Sequence, residues 1–166
     1  MYDSIFYNKI KNDYEIGTII NYPGPTEQTL VLDVGSGTGH HVNAMAEANI
    51  KAIGIDKSAS MVLKAKENYP RLEFHREDTL DRSAFPGSAF THITCFNFTI
   101  YYFDDKRKFL QNCYYWLKPG GCLVVNLVDK NTFDPIMPSG EPFALFGDKH
   151  VEKSGKETRI VFIGHN

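Results

Sequence analysis

No long apolar run, no excess of one charge and no paired cysteines occur in this sequence, and each lack removes a class of function. The net charge is −2, from 18 basic and 20 acidic residues, so nothing draws the chain as a whole to nucleic acid or to an anionic bilayer. No stretch approaches the roughly 18 apolar residues that a membrane-spanning helix needs. The opening MYDSIFYNKIKNDYE is too polar and too aromatic to read as a secretory leader. Cys95, Cys113 and Cys122 stand far apart, without a C-x-x-C pair, in stretches that read as buried strand or helix. Reduced core thiols in a cytoplasmic setting are therefore expected. Small molecules remain as the expected ligands, with no nucleic acid and no membrane among the partners.

What is present is the composition of an ordinary globular protein, 42% hydrophobic and 23% charged over 166 residues, enough for one domain with a real core. Along the chain the pattern alternates and does not repeat. Residues 1–28 mix tyrosines with charges and close in the turn-rich NYPGPTEQ, which sets a boundary before the first strong strand. From there TLVLDVG, KAIGID, RLEFHRED, FTHITCFNF and CLVVNLVD read as strands. The segments TGHHVNAMAEAN, SASMVLKAKENY and DDKRKFLQNCYYWL read as helices, the second capped by Ser58 and ended by Pro70. KPGG reads as the turn before the fifth strand. Short strands alternating with helices predict an α/β fold, a mostly parallel Rossmann-like sheet covered on both faces. Ligands then belong at the carboxyl ends of the strands.

At that edge lies LDVGSGTGHH, residues 32–41. Gly35 and Gly37 are placed to adopt backbone angles closed to other residues and to leave room for a ligand, with Ser36 between them, while Gly39 opens the helix. A dinucleotide fingerprint would need its third glycine at position 40, which is His40. Asp33, two residues before the loop, would repel a pyrophosphate and attract a cationic group. Asp56 closes the second strand, where an acceptor-only carboxylate can take both hydroxyls of an adenosine ribose.

With these residues in place the sequence resembles the class I S-adenosylmethionine-dependent methyltransferases, most of all their small-molecule branch. The resemblance covers roughly residues 29–129. VLDVGSGTG is similar to that family's glycine-rich first motif, GID at Gly54, Ile55 and Asp56 to its ribose-binding strand end, REDTLD to its third motif, and LKPGGCLVV to its fifth-strand turn. The resemblance implies that Asp78 meets the adenine amino group and the Thr79 main chain the ring. Lys57 lies beside Asp56 in the same site. The methionine end of the cofactor is expected over the loop, near Asp33, Gly35, Asn97 and Phe98. Tyrosines of the N-terminal segment, Tyr2, Tyr7 or Tyr14, are placed as a helical lid or as packing on the sheet.

The implied sheet has seven strands in the order 3-2-1-4-5-7-6, the seventh antiparallel. After Asp129 only one further strand, ETRIVFIG, is evident, so the seventh is expected to be missing or supplied differently and the segment 130–166 to be short or truncated. If ETRIVFIG pairs with the fifth strand or with a second copy, the C-terminal sheet edge offers a homodimer contact. The Pro- and Phe-rich stretch 130–147 reads either as an acceptor pocket or as a loop filling the core edge. No catalytic base is assigned, although His40, His41, Tyr101 and Tyr102 lie at the mouth, and no metal site is expected. In-line displacement onto a small acceptor is the expected reaction, with positioning as the main source of rate. Two alternatives stand beside it, a non-catalytic or truncated cofactor-binding domain and an NAD-dependent oxidoreductase.

Overall fold

The computed structural model describes Ile16, Gly17 and residues 26–127 in full, and the backbone alone of 128, 146–150 and 159–165. The N-terminal tyrosines and most of the stretch 130–147 lie outside the described residues. The strands are β1 (Leu30–Val34), β2 (Lys51–Asp56), β3 (Glu73–Arg76), β4 (Phe90–Cys95), β5 (Leu117–Val128), β6 (Phe146–His150) and β7 (Arg159–His165). Helices α1 (His40–Glu47), α2 (Ala59–Asn68) and α3 (Lys106–Trp116) join the first five strands.

Central strands of a parallel sheet are covered on both faces, which is why β1 reads as a nearly unbroken apolar run and why β4 is buried along most of its length despite Thr91, His92 and Thr94. Leu32 and Val34 of β1, with Ile93, Cys95, Leu123 and Val125, pack under Phe109, Cys113 and Trp116 of α3. The alternate residues Val31, Cys122 and Val124 face Met45 of α1 and Ile16 on the other side. Ser58 caps α2 as expected, accepting from Met61 N, and Asp105 does the same for α3 through Lys108 N, at 2.9 Å.

The first five strands run parallel in the order β3-β2-β1-β4-β5. The expected missing strand is a correction: among the described residues the sheet has seven strands, in the implied order, with β7 between β5 and β6. ETRIVFIG supplies β7 itself, and the additional strand is β6, too short and polar (FGDKH) to stand out after a Pro-rich stretch. Orientation also differs from the implied pattern. Strand β7 runs parallel to β5, and β6 is the antiparallel member. An antiparallel β6 begins at the same end of the sheet where β5 stops, so no helical crossover is needed there. A second correction concerns KPGG. Pairing with β4 steps from Phe90↔Leu117 to His92↔Cys122, so this turn is a bulge within β5. The Thr91 carbonyl passes 2.9 Å from where a Gly121 Cβ would stand, which leaves room only for glycine.

A buried histidine sits in the middle of the sheet. His92 is 3% exposed and its Nδ1 lies 3.0 Å from Thr91 Oγ1. The one proton of that hydroxyl goes to the Leu30 carbonyl at 3.0 Å, and the same oxygen accepts from Leu30 N. Nδ1 must therefore carry the imidazole proton. Burial pushes the His92 pKa down from its ordinary 6.5, so the folded ring is neutral.

Two outcomes follow from this packing. Trp116 is fully buried and its Nε1 donates to the Arg82 carbonyl at 3.0 Å. Trp116→Ala should cost about 3–5 kcal/mol in denaturant unfolding, whereas Leu63→Ala on the surface should stay within about 0.5 kcal/mol. Because the unfolded chain takes up a proton that folded His92 refuses, stability should decline as the pH falls below about 6.5. Urea titrations of His92→Leu over the same range should show a shallower decline.

Candidate functional site

A cleft of 310 Å³ opens at the carboxyl ends of β1, β2 and β3 and is closed on its far side by the turn after β4. Its floor is the glycine loop. Gly35 N and Ser36 N both donate to the Ile55 carbonyl, at 2.8 and 2.9 Å. Gly37 N donates to Asp56 Oδ2 at 3.0 Å, and Gly39 N to the Ser36 carbonyl at 2.9 Å. These four N–H groups are turned into the protein, away from any bound anion. The loop is shaped by the neighbouring strand and is not a phosphate cradle.

The three glycines prove to have different reasons. All have positive φ, at 70°, 53° and 90°. A side chain at Gly35 would collide with Thr99, and one at Gly39 would stand 2.7 Å from the Phe74 ring. Only at Gly37 does the missing side chain leave open space. The expectation that both Gly35 and Gly37 make room for a ligand is therefore corrected at Gly35, where the room is taken by protein.

Asp56 stands between two structural demands. Its Oδ2 holds Gly37 N, and its Oδ1 accepts from Ser58 N at 2.8 Å. Each oxygen keeps a further lone pair, and the residue lines the cleft. Across from it Asp78 accepts from Leu80 N at 2.9 Å through Oδ1 and lies 3.0 Å from Lys57 Nζ through Oδ2. The Leu80 N–H, then the Lys57 ammonium, hold the Asp78 carboxyl below its ordinary value. Thr79 is tied from behind, its carbonyl accepting from the buried Asn112 Nδ2 at 2.8 Å.

Of the residues expected at the site, Gly35, Gly37, Asp56, Lys57, Asp78 and Thr79 line the cleft. Asp33, Ser36, Gly39, Asn97 and Phe98 do not. Asp33 is 1% exposed beneath the loop, where Thr94 Oγ1 donates to its Oδ1 at 2.7 Å. Asn97 and Phe98 hold positive φ of 51° and 59°, a conformation that costs a bulky residue free energy and is found at functional turns. That double left-handed turn sets Thr99 against Gly35. Neither His40 nor His41 reaches the cleft. His40 Nδ1 is 2.6 Å from the Tyr69 hydroxyl, and His41 is buried with its ring 4.8 Å from that of Phe96. Tyr102 does line the cleft and is 84% exposed.

Several lining residues escaped sequence reading. Ser58 and Met61 come from the start of α2, Leu80 from the loop after β3, and Thr99, Phe103 and Asp104 from the turn after β4. Ser58 reads as a cap, and Met61 follows it at i+3, a spacing that places both over one end of β2. No local signal marks the others. Among the described residues no group of three or more His, Cys, Asp or Glu is gathered as a metal site, and no helix is long and apolar enough to cross a membrane.

Comparison with known proteins places this arrangement. A family model described as a methyltransferase domain matches residues 31–121. Demethylmenaquinone methyltransferase of Chlorobaculum parvum is 33% identical over 96 residues, covering 57% of this chain and 39% of that one. Among solved structures, the sugar N-methyltransferase KedS8 from a Streptoalloteichus species superposes with a TM-score of 0.62 at 23% identity, over 92% of this chain and 61% of that one. A SAM-dependent methyltransferase from Archaeoglobus fulgidus gives 0.55 at 18%, over 70% and 52%. At these identities the structures speak for the fold alone, and the chain spans about half or less of the length of the curated relatives it matches. The matched region runs from the second residue of β1 to the bulge of β5 and takes in the whole floor of the cleft; this chain belongs to the methyltransferase domain family.

Proposed function

We propose that the chain binds S-adenosylmethionine in this cleft and transfers its methyl group to a small-molecule acceptor. The observation that carries the reading is the pairing of open space over Gly37 with the immobilised carboxylate of Asp56. The residues fit the cofactor on their chemistry. Asp56 has one lone pair left on each oxygen, suited to two hydroxyls of a ribose. Asp78 presents acceptors to an exocyclic amino group, with Lys57 and Thr79 beside it, and Met61 and Leu80 supply apolar surface for a ring. The inward-turned N–H groups of the loop do not favour a pyrophosphate, which sets the site apart from that of a dinucleotide.

The bound cofactor would supply an electrophilic methyl on a sulfonium. The protein's part is then to hold an acceptor in line at about 3–3.5 Å and to exclude water, an effect that can lower the barrier by several kcal/mol without an acid or base. Asp33, Ser36, Gly39, Asn97 and Phe98 support the end of the cleft where the amino-acid tail would lie. Asp33 and the Asn97–Phe98 turn do so by fixing the ends of β1 and β4. In this assignment residues 1–28 serve as the lid, 29–129 as the cofactor core and 130–166 as the acceptor side. The net charge of −2 supports a small acceptor over nucleic acid. The three cysteines are buried core thiols, which supports a cytoplasmic setting. For a homodimer the C-terminal edge strand β6 is the proposed contact, and sedimentation velocity would detect it.

Thermal unfolding tests the cofactor. At 100 times its dissociation constant S-adenosylmethionine or S-adenosylhomocysteine should raise Tm by about 5–10 °C, the equivalent of roughly 2.7 kcal/mol, and NADH should not. A shift with NADH alone would overturn the assignment. Asp56→Ala should weaken cofactor binding by about 1–3 kcal/mol in calorimetry, since it removes the ribose acceptors and releases Gly37 N. Gly37→Val should abolish binding, because a branched side chain would fill the open space and resist the positive φ.

A further inference from the structure

We propose that Lys57 is a positioning residue of the cleft: by tethering one oxygen of Asp78 it fixes that carboxylate as an acceptor-only edge, and so selects a base presenting an amino group over one presenting a carbonyl oxygen. The inference rests on the adenosine reading given above and assigns a role within it.

Lys57 and Asp78 stand on the two walls of the cleft, one directly after β2 and the other just after β3. The strands are in register there, Asp56 opposite Arg76. Lys57 is held twice. Arg76 Nε donates to its main-chain carbonyl at 3.2 Å, and its ammonium reaches Asp78 Oδ2 at 3.0 Å. Asp78 is held twice as well, since Leu80 N occupies Oδ1. With an N–H on one oxygen and an ammonium on the other, the carboxylate is oriented from two sides, and it lines the cleft.

An ionised carboxylate has no proton to give. Opposite a base carbonyl it would set two acceptors against each other, and opposite an amino group it completes a charge-assisted hydrogen bond. Such a carboxylate is ionised at neutral pH with or without a partner, so Lys57 contributes by aiming it. The pair is poorly placed to serve the fold: the Lys57 side chain is 78% exposed and that of Asp78 40%, and ion pairs so exposed add little stability. A variant at position 57 should therefore fold normally.

The test is calorimetric titration of the full chain and of Lys57→Met and Lys57→Arg, with S-adenosylhomocysteine and its deaminated analogue S-inosylhomocysteine. Lys57→Met should bind S-adenosylhomocysteine about 3- to 10-fold more weakly while its affinity for the inosine analogue changes less than about twofold. Lys57→Arg should restore the preference, and Tm should be the same in all three chains. An unchanged ratio between the ligands in Lys57→Met would overturn the role of Lys57 while leaving the cleft an adenosine site. Equal weakening of both would do the same. Failure of the unaltered chain to bind either ligand would overturn the adenosine reading, and this role with it.

Discussion

The Asp56 carboxylate is the interaction from which the cleft takes its shape. One oxygen receives the N–H of Gly37 from the β1–α1 turn, and the other receives that of Ser58, the cap of α2. One residue further back, the Ile55 carbonyl receives Gly35 and Ser36. The end of β2 thus dictates the path of a loop belonging to β1 and the start of the helix that follows. A ligand arriving at this floor finds a backbone already committed. Little ordering remains to be done on binding, and the free energy of contact is not consumed in arranging the chain.

The opposite wall is suspended from α3. Asn112 takes the Thr79 carbonyl, and the Trp116 indole takes that of Arg82 four residues on from Asp78. Both side chains belong to the buried face of the helix, so the loop after β3 is bolted to the same core that holds β4 and β5. The third wall depends on the turn at Asn97 and Phe98, whose left-handed residues send Thr99 back toward Gly35. Each wall is set by a strand end and locked by a different neighbour.

Much of this was legible in the residues. The five parallel strands and three helices follow from the alternation of apolar runs with amphipathic stretches, and Ser58 as a cap follows from its chemistry. Asp56, Asp78 and the loop lie where a strand ends, a position that sequence pattern can locate. What it could not locate were contacts closed by folding. Nothing near Gly35 announces Thr99, which lies far along the chain, so a glycine demanded by packing looked like one demanded by a ligand. His40 follows the loop and seemed to face the mouth, but the first turn of α1 points it at Tyr69. The presence of β6 was hidden for another reason: FGDKH has neither the length nor the apolar alternation that marks a strand.

Phe74 carries a further consequence. Its ring lies beneath both Gly39 and Gly54, each within 3 Å of where a Cβ would be, and it packs with Val42, Val62 and Ala65. It belongs to β3, the four-residue strand at the sheet's edge, an element of the kind that opens most readily to solvent. The floor of the cleft therefore rests on an edge strand through a single aromatic ring. Opening of that edge would withdraw the ring on which Gly39 stands while leaving the bonds from β2 to Gly35, Ser36 and Gly37 in place. The edge of the sheet thus carries part of the weight of the loop, at its third glycine, through side-chain packing alone.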